Sequence, residues 1–234
     1  MAAIVLVHAF GSSSRAWEPQ VRALGDRHRV IAVDLPGHGD APGPFTLDRA
    51  VETVRAAVGG AGEPAFLVGL SGGVAVCLLA YLQGGSPVGG LVLSGGFARV
   101  PRAFAVQRAV TRALPEPVLA RGMRRALSGG APAYAAMAAE EFRRCGKATF
   151  VSALDALVGL DLRPRLGEVD VPTLVLCGTK DRPNVPLSRE LAKGIPGAEL
   201  RLVVDATHLW NLQQPELFTE TLARFVGRAG APTG

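Results

Sequence analysis

Three residues carry the clearest chemical potential in this chain: Ser71, Asp181 and His208. Ser71 sits within Gly69-Leu70-Ser71-Gly72-Gly73, between the apolar run Ala65-Phe66-Leu67-Val68 and a second run from Val74 to Ala80. Read as strand, tight turn and helix, this spacing puts the serine on a turn so sharp that positions 69 and 73 have no room for side chains. Such a turn strains the serine backbone and lifts its hydroxyl above the sheet edge. It also sets the hydroxyl at a helix N-terminus, where free N–H groups and the positive dipole end favour developing negative charge. A serine so placed is suited to attack a carbonyl carbon, provided a base takes its proton and an acid orients that base.

Asp181 and His208 supply the matching groups. The run Thr173-Leu174-Val175-Leu176-Cys177-Gly178 reads as a strand ending at glycine, and Asp181 follows three residues later. Leu200–Val204 reads as another strand, with His208 on the loop beyond it. Of the four histidines, His28 lies in a charged stretch and His38 in a turn. His8 directly follows the apolar run Ile4–Val7 and reads as a brace for its own loop. Asp205 is a competing acid, but it is too near His208 in sequence to be favoured. Ser71, Asp181 and His208 each stand just beyond the C-terminal end of a predicted strand, where the loops of a parallel sheet converge on one crevice. With a serine of this kind, the N–H of the next residue, Gly72, and one from the loop after an earlier strand bind the oxyanion. Phe10 occupies the second position, in a role that uses its backbone.

The elements that must position these residues are legible. Six strands are predicted: Ile4–Val7, Val30–Val33, Ala65–Val68, Leu91–Leu93, Thr173–Leu176 and Leu200–Val204. Helices fill most gaps, as in Leu47–Val58 and Val74–Leu82, and Gln214-Pro215-Glu216 starts another with Leu217, Phe218, Leu222 and Phe225 on one face. Short apolar runs alternating with helices predict an α/β fold: a mostly parallel sheet of about six strands, flanked by helices on both faces. Residues 97–165 carry no strand signal. Four helical stretches fit there, Arg102–Leu114, Val118–Leu127, Ala133–Arg144 and Ala148–Leu157, punctuated by Pro115, Pro117, Gly129-Gly130 and Gly146. The first gathers Phe104, Val106, Ala109, Val110, Ala113 and Leu114 mostly on one face, with Arg102, Arg108 and Arg112 off it. The division is therefore an α/β core of residues 1–96 and 166–234, interrupted by a helical insertion over 97–165.

Taken together, His8-Ala9-Phe10-Gly11-Ser12-Ser13 with Trp17, Asp34-Leu35-Pro36-Gly37-His38-Gly39, the turn at 69–73, Gly178-Thr179-Lys180-Asp181, and His208 followed by Pro215-Glu216 resemble the α/β-hydrolase superfamily over nearly the whole chain. The resemblance implies a Ser71–His208–Asp181 triad, structural roles for Asp34 and the Pro36–Gly39 turn, and a helical cap over the active site at 97–165. An ordinary helical excursion packed to one side is the plainer reading of that insertion. Ala9 and Val74 stand where members usually have glycine, as does Thr207 before the histidine. Members also usually carry two further strands before the His8 loop; this sequence begins with the strand that feeds it. The chemistry implied is hydrolysis of a small carboxylic ester or lactone through an acyl-enzyme, with neither metal nor organic cofactor. Two alternatives stay open: a triad-dependent lyase or carbon–carbon bond hydrolase acting on an anionic metabolite, similar to a menaquinone-pathway lyase with a basic pocket, and a ligand-binding member that turns over little.

Composition agrees. The chain has 234 residues, 48% of them apolar, enough for one large core. No run approaches the ~20 apolar residues that span a membrane, and no basic-then-apolar leader is visible. Three scattered cysteines, Cys77, Cys145 and Cys177, suit a reducing cytoplasm better than a disulfide framework. Residues 97–165 hold 12 basic and 5 acidic side chains, a net +7, and the remainder carries −2, giving the overall +5. Such a surface could steer anionic substrates or simply be solvated. The basic residues are not interleaved with aromatics and no nucleic-acid motif occurs, so a small-molecule partner is expected.

Overall fold

The computed structural model describes residues 1–101, 104–128 and 131–230. Arg102, at the predicted start of the first inserted helix, and the Gly129-Gly130 pair lie outside them. Six strands, β1 (Ala3–Val7), β2 (Arg29–Val33), β3 (Ala65–Leu70), β4 (Val88–Ser94), β5 (Thr173–Gly178) and β6 (Glu199–Val203), form one sheet in the order β2-β1-β3-β4-β5-β6. Every pairing is parallel. The chain passes from β1 outward to β2, then crosses back to place β3 on the other side of β1. The loops leaving β1 and β3 therefore diverge at a switch point, where such sheets open a crevice.

Alternation along the strands builds two core layers, because successive side chains point to opposite faces. On one face Val5, Val7, Leu67, Leu91 and Val175 pack with α2 (Leu47–Gly59), α3 (Gly72–Leu82) and α7 (Val185–Gly194). On the other, Ile4, Leu6, Phe66, Val68, Val92 and Leu174 pack with α1 (Glu18–Leu24) and α9 (Pro215–Ala229) through Leu24, Phe218, Leu222 and Phe225. The central strands β1 and β3 are buried along their whole length. Thr46 caps α2, accepting from the Arg49 N–H at 3.3 Å. Pro215 opens α9, where its missing N–H leaves no helical bond unmade.

Between β4 and β5 come α4 (Phe104–Ala113), α5 (Glu116–Ser128) and α6 (Pro132–Ala156). The predicted helices at 133–144 and 148–157 appear in α6 as two segments that meet at Gly146, whose φ of 74° and ψ of 150° are open to glycine and strained for other residues. The first segment lays Ala131 and Ala135 against Ala16 and Leu212. Phe142 and Phe150 straddle the break, with ring centroids 5.2 Å apart, and both rest on Gly11 of the β1 loop.

The apolar stripe of α4 does not set which side of the helix faces inward. Val106 is 66% exposed and Val110 48%, whereas Thr111 is buried. Arg108 and Arg112 both reach Asp155 of α6, at 3.3 and 2.6 Å. Only Phe104 of the apolar set enters the core. Two arginines converging on one carboxylate, with Lys147 Nζ donating to the carbonyls of Arg112 and Leu114 at 2.6 and 2.7 Å, hold the polar side of α4 inward. The remaining basic charge of the insertion is largely paired too: Arg99 with Glu190, Arg143 with Glu140, Arg163 with Asp161, Arg165 with Glu168, and Arg144 with Glu141 and Asp40.

This orientation sets an order of sensitivities. Val106→Ser should leave the unfolding free energy within about 0.5 kcal/mol of wild type, as at ordinary surface sites. Thr111→Arg, which forces volume into a closed site, should cost about 1–3 kcal/mol in urea unfolding. The reverse order would place the apolar face of α4 in the core.

Candidate active site

Ser71 links β3 to α3 with φ 56° and ψ −118°. A positive φ at a residue with a Cβ is strained, by about 1–3 kcal/mol. The surroundings enforce it. A Cβ at Gly73 would lie 2.6 and 2.7 Å from the carbonyl oxygens of Val7 and His8, and one at Gly69 would lie 2.7 Å from the carbonyl oxygen of Gly73. Backbone thus meets backbone across the turn. The Ser71 N–H donates to the Ser94 carbonyl at 2.9 Å, fixing the elbow to the end of β4. Val74 fills the space that a side chain at Gly96 would occupy, so the bulk at one position is matched by its absence at the other.

His208 and Asp181 meet at the neighbouring rim. His208 Nδ1 lies 2.7 Å from Asp181 Oδ2. A carboxylate can only accept, so Nδ1 carries the proton and Nε2 is left as the basic nitrogen. Asp181 is nearly closed to solvent, with 6% of its side chain exposed against 36% for His208. Four contacts tie the loops of this pair to one another and to the end of β4, where Ser94 binds the Ser71 N–H. A Cβ at Gly95 would touch His208 Nδ1 at 3.2 Å and Asp181 Oδ2 at 3.3 Å, and Gly95 directly follows the Ser94 that binds Ser71. The Gly95 N–H donates to Leu176 O at 2.8 Å, and the Lys180 N–H to Ala206 O at 2.9 Å, binding the three loops together. Trp210, two residues after the histidine and first in the short helix α8 (Trp210–Gln213), donates from Nε1 to Ser94 Oγ at 3.0 Å and packs tilted against Phe218, with ring centroids 4.5 Å apart. Asp205, the competing acid, is exposed and paired with Lys180 at 3.1 Å, away from the ring.

The β1 loop completes the crevice. Gly72 opens α3, so its N–H has no intrahelical acceptor. Among the described residues the Phe10 N–H makes no backbone hydrogen bond. The Phe10 side chain is more constrained than its backbone role implies. Its ring lies against the Gly72 Cα, where a Cβ would come within 2.7 Å, and meets Phe45 edge-on at 5.0 Å. His8 is fully buried and braces the loop as expected. The Leu35 N–H donates to Nε2 at 3.0 Å, which leaves Nδ1 to donate to Ala9 O at 2.8 Å. Both ring nitrogens are committed to one neutral tautomer, and burial, aided by His38, holds the pKa down at about 3. Asp34 accepts from the N–H groups of Ser14 at 2.6 Å and Asp40 at 3.0 Å. Partial burial opposes its ionisation, but these hydrogen bonds outweigh that and hold its carboxyl below the usual value.

Several contributors lie outside the sequence expectations. Asn184 donates from Nδ2 to Asp181 Oδ1 at 2.9 Å and Oδ2 at 3.0 Å. Gln213 clamps the His208 loop, accepting from the Thr207 N–H at 2.7 Å and donating to Asp205 O at 3.2 Å. An amide three residues after an acid, just ahead of a helix, was the one hint available for Asn184. The three cysteines are unpaired and buried, and burial pushes the Cys145 and Cys177 thiols up to about 12 and 11. A cleft of about 380 Å³ at the foot of α4, bordered by Arg99, Arg108 and Arg163, includes none of Ser71, Asp181 or His208. Arg99 and Arg108 are both engaged there by carboxylates. Among the described residues no group of three or more His, Cys, Asp or Glu side chains is arranged to hold a metal ion, and no helix is long and apolar enough to cross a membrane.

A parallel sheet with a strained serine elbow at its switch point and an acid-paired histidine on the adjoining loops defines an α/β hydrolase. The sequence profile of the alpha/beta hydrolase family matches residues 4–221, and the chain belongs to that family. The pimeloyl-(acyl-carrier protein) methyl ester esterase of Methylococcus capsulatus is 31% identical to it, over 95% of this chain and 94% of the esterase. The 3-oxoadipate enol-lactonase 1 of Acinetobacter baylyi is 25% identical over 96% and 88% of the two chains. The crystal structure of the enol-lactonase from Burkholderia xenovorans LB400 superposes with a TM-score of 0.84 at 26% identity, covering 97% of this chain and 92% of that one.

Two measurements test this geometry. Ser71→Gly removes the Cβ from a positive-φ position and should raise the unfolding free energy by about 1 kcal/mol relative to Ser71→Ala, which keeps it. Equal stability of the two variants would mean that the elbow stores no strain. The second concerns acid. His8 stays neutral in the folded chain down to about pH 3 but takes a proton near 6.5 when unfolded. The unfolded state then binds more protons between those values, so stability falls as pH falls, by up to about 1.4 kcal/mol per pH unit. His8→Gln should show a shallower loss between pH 6 and 4 in urea titrations, and an unchanged slope would mean that His8 is not held neutral.

Proposed function

We propose that the protein is a serine hydrolase of small carboxylic esters or lactones, acting through Ser71, His208 and Asp181. The observation that carries this reading is the His208 Nδ1 to Asp181 Oδ2 contact at 2.7 Å, on a rim shared with the strained Ser71 through Ser94 and Gly95. The substrate carbonyl lies beside Ser71 with its oxygen toward the N–H groups of Phe10 and Gly72. His208 Nε2 takes the serine proton as Oγ attacks, and Asp181 stabilises the imidazolium that forms. The tetrahedral oxyanion is held by the two N–H groups, each worth about 3 kcal/mol in the transition state. His208 then protonates the leaving alcohol. Water, deprotonated by the same ring, releases the acid from the acyl-enzyme.

Residues 97–165 act as a cap in this reading. Phe142 and Phe150 rest on Gly11, Thr149 rests on Gly37, and Arg15 reaches Glu141 at 2.7 Å, so α6 roofs the two loops that border the serine. A roof this close excludes water and suits a small acyl or lactone ring. The esterase and enol-lactonase relatives support the same class. A basic pocket for an anionic substrate has less support, because Arg99 and Arg108 are spent on Glu190 and Asp155.

A fluorophosphonate probe should label the wild type at Ser71, located by peptide mass, and Ser71→Ala should abolish labelling. Turnover of short-chain aryl esters and lactones should fall by at least about a thousandfold in Ser71→Ala and His208→Ala. A folded protein that resists the probe would refute the nucleophile assignment. Labelling without turnover of any ester or lactone would refute the substrate class.

A further inference from the structure

Asn184 occupies the N-cap position of α7, where asparagine ordinarily accepts a hydrogen bond from an N–H of the first turn. It makes no such bond. Its side chain turns back to Asp181 instead, with Nδ2 at 2.9 Å from Oδ1 and 3.0 Å from Oδ2. The same nitrogen stands 3.3 Å from His208 Nδ1. Both Nδ2 and Nδ1 carry protons, so they do not bond each other; they are two donors converging on one carboxylate. The amide must present its NH2 group, because its oxygen would face two oxygens that only accept. A helix has thus given up a cap worth about 1 kcal/mol while its capping residue attends to a buried acid.

We infer that Asn184 is a positioning residue that fixes the Asp181 carboxylate and limits how strongly it draws a proton onto His208. This rests on the triad reading above. By bridging both oxygens, the amide stops the carboxylate rotating about its Cβ–Cγ bond and keeps Oδ2 aimed at Nδ1. By donating to Oδ2 it also takes part of the negative charge that would otherwise face the imidazolium. The other groups around His208 leave Asp181 as the charge that matters. Gly95 presents backbone only, Ser71 is uncharged, Asp205 and Lys180 are exposed and paired with each other, and Arg182 is exposed on the loop of Asn184 itself.

The test reads the coupling directly. In the wild type, the Asn184 side-chain amide signals in 15N NMR should move with pH through the same midpoint as the His208 ring; a pH-invariant amide overturns the inference without any variant. Asn184→Leu keeps volume and removes both donors. It should shift the His208 midpoint and the acid limb of kcat/KM upward by about half a pH unit or more, and lower kcat about three- to tenfold, with KM within about twofold. Asn184→Asp, nearly isosteric, should raise the midpoint further. A folded variant with midpoint and kcat unchanged overturns the proposal. Fluorophosphonate labelling separates the two claims. Normal labelling with an uncoupled amide sinks this inference alone, whereas a coupled amide in a protein that cannot be labelled sinks the hydrolase reading and leaves the Asn184–Asp181–His208 coupling intact.

Discussion

At the C-terminal edge of this sheet, main chain packs directly on main chain, and the rest of the site follows from that. The Gly73 Cα sits under the carbonyls of Val7 and His8, which locks α3 onto the end of β1. Gly178 does the same against Ala206, where a Cβ would fall 2.2 Å from the carbonyl oxygen. The first contact fixes the serine relative to the β1 loop; the second draws the loop bearing Asp181 onto the loop bearing His208. Any added side chain at either point would push apart elements that hydrogen bonds elsewhere hold together. Precision here comes from missing atoms more than from added interactions.

Around these contacts lies a set of buried polar groups whose partners are other loops. His8 bridges β1 to the start of the β2 loop through Leu35, Asp34 ties residues 14 and 40 together, and Trp210 reaches Ser94 from the opposite core layer. Leaving any of these three without its partner would cost about 1–3 kcal/mol, so the loops settle where these bonds are made. That explains how crevice residues borne on loops are placed as firmly as if they lay on strands. It also explains why Ala9, in a loop where relatives of this fold favour glycine, is tolerated: it is buried with the second core layer rather than facing the crevice.

Much of this was legible in the sequence, for identifiable reasons. The strands are short apolar runs ended by glycine or charge, and the histidine and acid each follow one. A parallel sheet then brings them to one edge without any knowledge of side-chain contacts. The β4 strand extends beyond the predicted Leu91–Leu93 to Val88, where its pairing with β3 shifts register between Ala65 and Phe66, an irregularity that leaves no periodic signal in the sequence. The facing of α4 was not legible, because periodicity reports amphipathicity but not which side a neighbour prefers. Asp155, more than forty residues away, decides it by recruiting Arg108 and Arg112. Asn184 and Gln213 were invisible for a related reason, since each acts through a side-chain amide whose partner depends on loop conformation.

The break in α6 at Gly146 has a consequence for how this architecture can diversify. The segment before it leans on Ala16 and Leu212, near the histidine loop, while the segment after it touches Gly37 and feeds Ala153 and Leu154 into the main core. Since the left-handed residue interrupts the helical ladder, neither segment dictates the other's azimuth. A substitution in one segment can shift its own packing without turning the helical axis of the other, the Phe142–Phe150 contact remaining as a link across the break. An unbroken rod would force both sides to drift together.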